Sequence, residues 1–297
     1  MRKNKEVLGL LEKRRTPWER AFFHGMTAFL IIWCAIIAIM LGWALMTTFK
    51  TNLEYVNEPL SLPKEQILQT VVANFQTAIG KLNFNGVDFW GMVYNSVWQV
   101  VCPALISIAM HIVTGYIFAH YQFPGRNLMF AAIVFIMIIP IYGAFTANYK
   151  LIMTLKMNNS YSYLLTAFGG FGGNFLLTYG YFKGVPKELR EAVYIDGGSD
   201  LQAFIKVYFP LSRNIFIALF ILAFIAGWNN YETALLYFDK MPNLALGLYQ
   251  FQQEIIYAAN QPAYFAGAII LMLPVVLVFV LFADKIMGQL YSGGIKG

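Results

Sequence analysis

Long apolar runs constrain this chain more than any motif in it. Phe22 to Met46 contains no Lys, Arg, Asp or Glu. About 20 predominantly apolar residues suffice to cross the hydrocarbon core of a bilayer as a helix. There every backbone N–H and C=O must be paired within the segment, which helices achieve. This first run is too long for a signal-peptide core and lacks a small-residue cleavage site, so it reads as a retained span. Further runs lie at about 92–120, 126–147, 161–182, 213–229 and 264–283. The expected fold is an all-α membrane protein with six transmembrane helices over 22–291. A basic arm (1–21) precedes them and a short tail (292–297) follows.

Composition excludes the soluble alternative. Charged residues are 12% of the chain and hydrophobic residues 59%, whereas soluble domains carry roughly 25% charge. The net charge of +6 does not point to nucleic acid, because basic and aromatic residues do not interleave on one polar face. The bases are instead sorted by loop. With both termini inside, fifteen of the twenty-one Lys and Arg are cytoplasmic, including seven in the first 21 residues, as the positive-inside rule requires. The N-terminal arm, with Val7, Leu8, Leu10 and Leu11 on one side, suits a membrane surface, and Thr16-Pro17 restarts a helix. Cys34 and Cys102 lie in apolar runs and read as buried, inert thiols. No phosphate loop, H-E-x-x-H or G-x-S-x-G occurs, so neither ATP hydrolysis nor another catalytic constellation is expected here, and no metal site. Acids within the spans are nearly lacking, which speaks against an ion-coupled carrier.

One polar interruption stands out among the spans. Glu188, Glu191, Asp196 and Asp200 alternate with apolar residues between Pro186 and Pro210. Pro186 is placed to open a short helix. Gly197-Gly198 offers the left-handed backbone that ends one. Ser199 or Asp200 offers a cap for the next. The expectation is helix, tight turn, helix at a membrane surface.

This stretch resembles the EAA loop of binding-protein-dependent ABC importer permeases. Glu191-Ala192, Gly197 and Pro210 fall on the motif's spacing, with Val193, Val207 and Phe209 as apolar replacements. The resemblance implies a type I ABC importer permease fold in which this cytoplasmic loop, 186–210, couples to an ATPase through Glu191, Ala192, Asp196, Gly197, Gly198 and Pro210. Other phrases carry the likeness outward. Thr70–Ala78 looks like the segment before the second span, and Gly115-Tyr116 to Arg126 like the turn after it. Gly227-Trp228-Asn229-Asn230-Tyr231 resembles the W-N motif of sugar permeases. Leu248, Tyr249, Gln250 and Phe251 lie in a stretch that looks like the family segment meeting the external binding protein. The ending Gly293 to Gly297 resembles the maltose-type tail, implying that Gly294 and Lys296 reach the ATPases.

Several residues admit two readings. His111 is an intramembrane histidine with no ionisable neighbour in sequence, which favours a packed or interface role. Gly169 and Gly173 have the spacing that lets helices approach closely. Alternatively, Gly170, Gly173 and Asn174 make room for a solute or break the helix near one. Trp228 and Tyr231 fit an interfacial anchor or the solute path. Asn229 and Asn230 offer the donors and acceptors that sugar hydroxyls need.

The resemblance implies a permease subunit that imports a sugar or oligosaccharide by alternating access in a bacterial-type inner membrane. Its partners would be a second, different permease subunit, two cytoplasmic ATPases that hold ATP and Mg, an extracytoplasmic binding protein, and lipid. An amino-acid or peptide permease, an ATPase-independent carrier, and a membrane enzyme are the alternatives. A Gly197→Asp variant is expected to assemble yet lose uptake, since a β-carbon strains the turn and the new charge faces the docking groove. Normal uptake by that variant contradicts the docking assignment.

Overall fold

The computed structural model describes residues 16–64, 66–139, 144–258 and 260–293. They are almost entirely helical; among them the only β pairing is an isolated bridge between Phe84 and Val87. Residues 1–15 of the basic arm, Pro140, Gly294 and Lys296 lie outside the described residues.

Helix α1 (Pro17–Thr47) starts where Thr16-Pro17 dictates. Thr16 and Glu19 form a reciprocal capping box, and Pro17 occupies the first turn, where its missing N–H costs nothing. The helix stands off the body along most of its length, and Thr47 alone is buried. Cys34 is therefore exposed on a bare apolar wall, contrary to the buried thiol expected, while Cys102 is half-buried. Only the far end of α1 is tied down. Trp43 meets Phe265 edge-on at 5.4 Å, and its indole N–H donates to the Pro59 carbonyl at 2.9 Å. The fully buried Lys50 ammonium donates to the Glu58 and Pro59 carbonyls, both at 2.9 Å. These carbonyls, on the turn after the short α2 (Asn52–Asn57), supply the partners that a buried cation requires. Helix α3 (Ile67–Lys81) adds Asn74, whose amide donates to the carbonyls of Thr48 and Lys50.

The centre is α4 (Phe89–His120), which begins earlier than the 92 read from sequence. The polar-looking Asp88 is its cap, accepting from the Gly91 N–H at 3.0 Å. It is apolar on all sides, as a helix surrounded by others must be. Asn95 and Ser96 lie within its first turns, not at its start. Their side chains donate to the Pro242 and Met92 carbonyls. The chain leaves α4 extended at Tyr121, ahead of Pro124, and turns at Gly125 (φ +81°).

The third run divides. Helix α5 (Arg126–Ile138) stops before Pro140, and α6 (Ala144–Thr154) carries on past the limit of 147. The fourth run is not one helix either. A 3₁₀ segment (Tyr161–Phe168) gives way to irregular backbone at 169–172, and α7 (Gly173–Lys183) follows. Gly172, at φ +142°, makes that break in a region only glycine tolerates. The expected Gly169/Gly173 contact is absent: nothing lies within 4 Å of a Cβ placed on either. The close approach of α4 and α7 occurs at Gly115. A Cβ there would meet Thr178 Oγ1 at 2.4 Å and the Tyr179 backbone N at 2.9 Å. Thr178 Oγ1 in turn donates to the His111 carbonyl at 2.8 Å.

The polar stretch forms α8 (Glu188–Ile195) and α9 (Asp200–Leu211), and after it come α10 (Arg213–Trp228), α11 (Glu232–Tyr237), α12 (Leu244–Ala258) and α13 (Gln261–Gly293). Helices α7, α10 and α12 pack around α4, and α13 packs on α3, α10 and α12. Among the described residues, α1, α4 and α13 are each long and apolar enough to cross a membrane. The α9–α10 pair qualifies as a fourth if its 61° bend is one broken span.

Gly115→Val is expected to destabilise the chain by about 1–3 kcal/mol, because backbone on α7 cannot yield to the added methyl groups. The detergent-solubilised variant should melt at a lower temperature; an unchanged melt would contradict the close packing of α4 and α7.

Candidate functional site

The polar stretch folds as a helical hairpin whose turn is fully specified. Pro186 does not open α8, which starts two residues later, with Lys187 as the flanking residue. At its other end Gly197 has φ +75°. The Gly197 N–H donates to the Tyr194 carbonyl at 3.0 Å and the Gly198 N–H to the Val193 carbonyl at 2.8 Å. Those two bonds are the Schellman pattern, which satisfies the carbonyls that a helix end leaves open. Gly198 is needed for space: a Cβ there would sit 2.5 Å from Val193 Cγ1 and 2.9 Å from the Val193 carbonyl. Ser199, not Asp200, caps α9 through a capping box with Gln202.

Pro210 lies near the other end of α9. It has no N–H to donate to the carbonyl four residues back, and the preceding turn, Phe204–Tyr208, widens into a π-turn. The chain bends by 61° at Ser212, whose N–H reaches the carbonyls of both Tyr208 and Phe209. Pro210 thus sits at the joint between the hairpin and α10.

The hairpin has two faces. Glu191, Ala192, Asp196, Gly197 and Pro210 are exposed together with Ile195 (86%), Leu201 (66%) and Ile205 (54%). Ala203 and Tyr208 are buried against the body, beside Tyr116, His120 and Phe182. Tyr194 donates its hydroxyl to Asp200 across the turn. That bond, with a second from Tyr121, holds the Asp200 carboxyl below its usual range. Burial pushes the Tyr121 hydroxyl well above its own.

The candidates for a solute path separate on inspection. Trp228 is buried, stacks on Phe224 at 5.2 Å and donates to the Leu271 carbonyl at 2.9 Å, so its ring fastens α10 to α13. Gly170 is buried against Thr114, whose hydroxyl donates to its carbonyl at 2.7 Å, while Gly173 is exposed and Asn174 half-buried. His111 is buried, with Nδ1 2.5 Å from the Ser107 carbonyl, a packed arrangement. Asn229, Asn230 and Tyr231 do line one cavity of about 260 Å³, with Ala226 and Glu232, which sequence reasoning had passed over. Asn230 Oδ1 also accepts from the Thr233 N–H, helping to start α11.

Tyr231 stacks face to face on Tyr249 at 4.4 Å, joining the W-N segment to α12. Leu248 and Gln250 are half-buried, but Phe251 is buried against Ala78, Ala263 and Ala266 and offers nothing to an external partner. Among the described residues no three His, Cys, Asp or Glu converge as metal ligands.

Known proteins resemble this chain. The family model described as binding-protein-dependent transport system inner membrane component matches residues 111–286. The diacetylchitobiose uptake system permease protein NgcG of Streptomyces coelicolor is 26% identical over 280 residues, 93% of this chain and 89% of that protein. The sn-glycerol-3-phosphate transport system permease protein UgpE of Escherichia coli is 30% identical over 228 residues, 76% of this chain and 78% of that one. The arabinooligosaccharides transport system permease protein AraQ of Halalkalibacterium halodurans is 30% identical over 212 residues, covering 70% and 75%. In fold, the chain matches one from the crystal structure of a bacterial ABC transporter involved in the import of the acidic polysaccharide alginate. The TM-score is 0.72 at 20% identity, over 91% of this chain and 98% of the other.

Gly198→Ala is expected to loosen the hairpin more than Gly197→Ala. The first puts a methyl group into the Val193 carbonyl; the second has open space and bears only the left-handed penalty of about 1–2 kcal/mol. Hydrogen exchange of the amides at 197–203 would rank the two, and the reverse order would contradict the turn geometry.

Proposed function

The chain belongs to the family of binding-protein-dependent transport system inner membrane components, and we propose that it is a six-span permease subunit that imports a sugar or oligosaccharide by alternating access. It is a multi-pass membrane protein of the ABC importer type. The observation that carries the mechanism is the hairpin: an exposed apolar and acidic face, held at a fixed turn, directly continuous with α10.

ATP hydrolysis takes place on separate subunits, which hold the ATP and Mg. The exposed face of α8, with Glu191, Ala192, Asp196 and Gly197, seats in a groove of one such subunit, and Pro210 passes the movement to α10. The C-terminal residues Gly294 and Lys296 reach the same subunits. Both termini are cytoplasmic, in a bacterial inner membrane. A second permease chain completes the translocation path. An extracytoplasmic binding protein delivers the solute beside Leu248, Tyr249 and Gln250.

Alternating access requires ATP and the loaded binding protein to favour one conformation over the other. Reversing a 1:99 population takes about 10⁴-fold differential affinity, more than one surface contact supplies. Two ATPase docking sites and a binding protein acting together are of the right order. A sugar suits Asn229, Asn230 and Tyr231, since amides pair with hydroxyls and an aromatic face covers the apolar side of a ring. The named relatives take diacetylchitobiose, sn-glycerol 3-phosphate and arabinooligosaccharides, which supports this class over amino acids or peptides.

The test is affinity purification of the chain from detergent-solubilised membranes, with mass spectrometry of its companions. A second permease and an ATPase are expected. A lone homo-oligomer would overturn the reading in favour of an ATPase-independent carrier.

A further inference from the structure

Helix α4 ends with its negative dipole pole and its last carbonyls facing the cytoplasmic turn. Two guanidinium groups meet them. Arg126, at the start of α5, donates from Nε to the Phe118 carbonyl at 2.8 Å. Arg190 comes from α8 itself and donates from Nη1 to the His120 carbonyl at 3.2 Å. The first bond closes a local turn; the second joins the hairpin to the central helix across 70 residues of chain.

Arg190 is committed to that place by more than one contact. Its guanidinium lies 5.3 Å from the Tyr121 ring centroid and 5.7 Å from that of Tyr194, within the range of a cation–π attraction. Its Nε is enclosed and has no hydrogen-bond partner among the described residues. Tyr194 in turn holds Asp200 across the turn. Behind this layer, Tyr116, His120 and Tyr208 pack ring to ring, at 4.8 Å for Tyr116–Tyr208 and 4.5 Å for His120–Tyr208. Glu191, Ala192 and Ile195 face away from this contact, into solvent.

We propose that Arg190 is a positioning residue that clamps the hairpin to the cytoplasmic end of α4, so that a displacement of α8 moves α4 with it. This rests on the proposed function, in which α8 is the ATPase docking helix, and names a residue outside the docking face. Without the clamp, α8 still docks, but its movement reaches the body through α9 and Pro210 alone. Lys cannot replace Arg in full, because a compact ammonium cannot both donate to the carbonyl and lie over two rings.

The test uses the full complex in phosphatidylethanolamine–phosphatidylglycerol vesicles, with Cys34 and Cys102 replaced by Ser. Spin labels are placed at the exposed positions Leu105 on α4 and Leu189 on α8, outside the residues assigned to docking, and the distance between them is measured with and without Mg-ATP. In the Arg190-containing complex the distance stays the same in both conditions. In Arg190→Ala it shifts by several ångströms on adding ATP, and Arg190→Lys gives a smaller shift. A variant damaged only in folding would broaden the distribution equally with and without ATP, which would overturn the clamp.

So would an Arg190→Ala distance as constant as in the parent, or a parent distance that itself moves with ATP. ATP hydrolysis stimulated by the binding protein should fall about tenfold in Arg190→Ala, the factor expected for losing one charge-assisted hydrogen bond. If Arg190→Ala does not assemble, Arg190→Lys decides: no ATP-dependent shift in that variant refutes the proposal. A parent chain that purifies without any ATPase refutes the proposed function and the clamp together. A parent that hydrolyses ATP but shows no effect of Arg190 refutes the clamp alone.

Discussion

The contact on which the molecule most depends is the one between α4 and α7 at Gly115. Without a side chain there, the Thr178 hydroxyl approaches near enough to donate to the His111 carbonyl, and backbone lies against backbone. Lipid offers no hydrophobic drive for helices to associate, so close van der Waals packing and such polar contacts must hold them. Because α7 runs almost directly into α8, the register fixed at Gly115 also fixes where the hairpin emerges. Phe182 and Tyr208 then fill the space between α4 and the hairpin without leaving either ring exposed.

The hairpin is rigid where it must be and bare where it must meet something. Its turn uses both glycines, one for a positive φ and one for room, and a serine capping box starts the next helix. Its inner side is aromatic and anchored to α4, while its outer side leaves Ile195, Leu201 and Ile205 in solvent. Exposed apolar side chains rimmed by acids, on an element this firmly held, are the kind of patch on which the proposed docking to another protein rests. The joint at Ser212, after a π-turn and Pro210, bends the chain from the hairpin into α10.

The end of the bundle away from the hairpin follows a different logic. Buried polar groups there are satisfied by carbonyls of neighbouring loops: Lys50 by Glu58 and Pro59, Asn74 by Thr48 and Lys50, Asn95 by Pro242. These bonds tie α1 to α3, and α4 to the segment before α12. The Tyr231–Tyr249 stack continues this network beside the cavity lined by Asn229 and Asn230.

Local chemistry made much of this legible in the residues alone. The apolar runs set the helical class, because unpaired backbone cannot stay in hydrocarbon. Thr16-Pro17, Gly197-Gly198 and Ser199 announced their caps and turn, since each acts within four residues of itself. Tertiary structure decided the rest. Spacing alone pointed to Gly169 and Gly173, but a helix interface needs a partner surface, and that surface lay opposite Gly115. Trp228 and Phe251 suited an open path or a docking site by type, yet packing against α13 and α3 buried both. The role of Arg190 was hidden for the same reason: the carbonyl it meets belongs to a residue 70 positions earlier, and only the folded chain brings the two together.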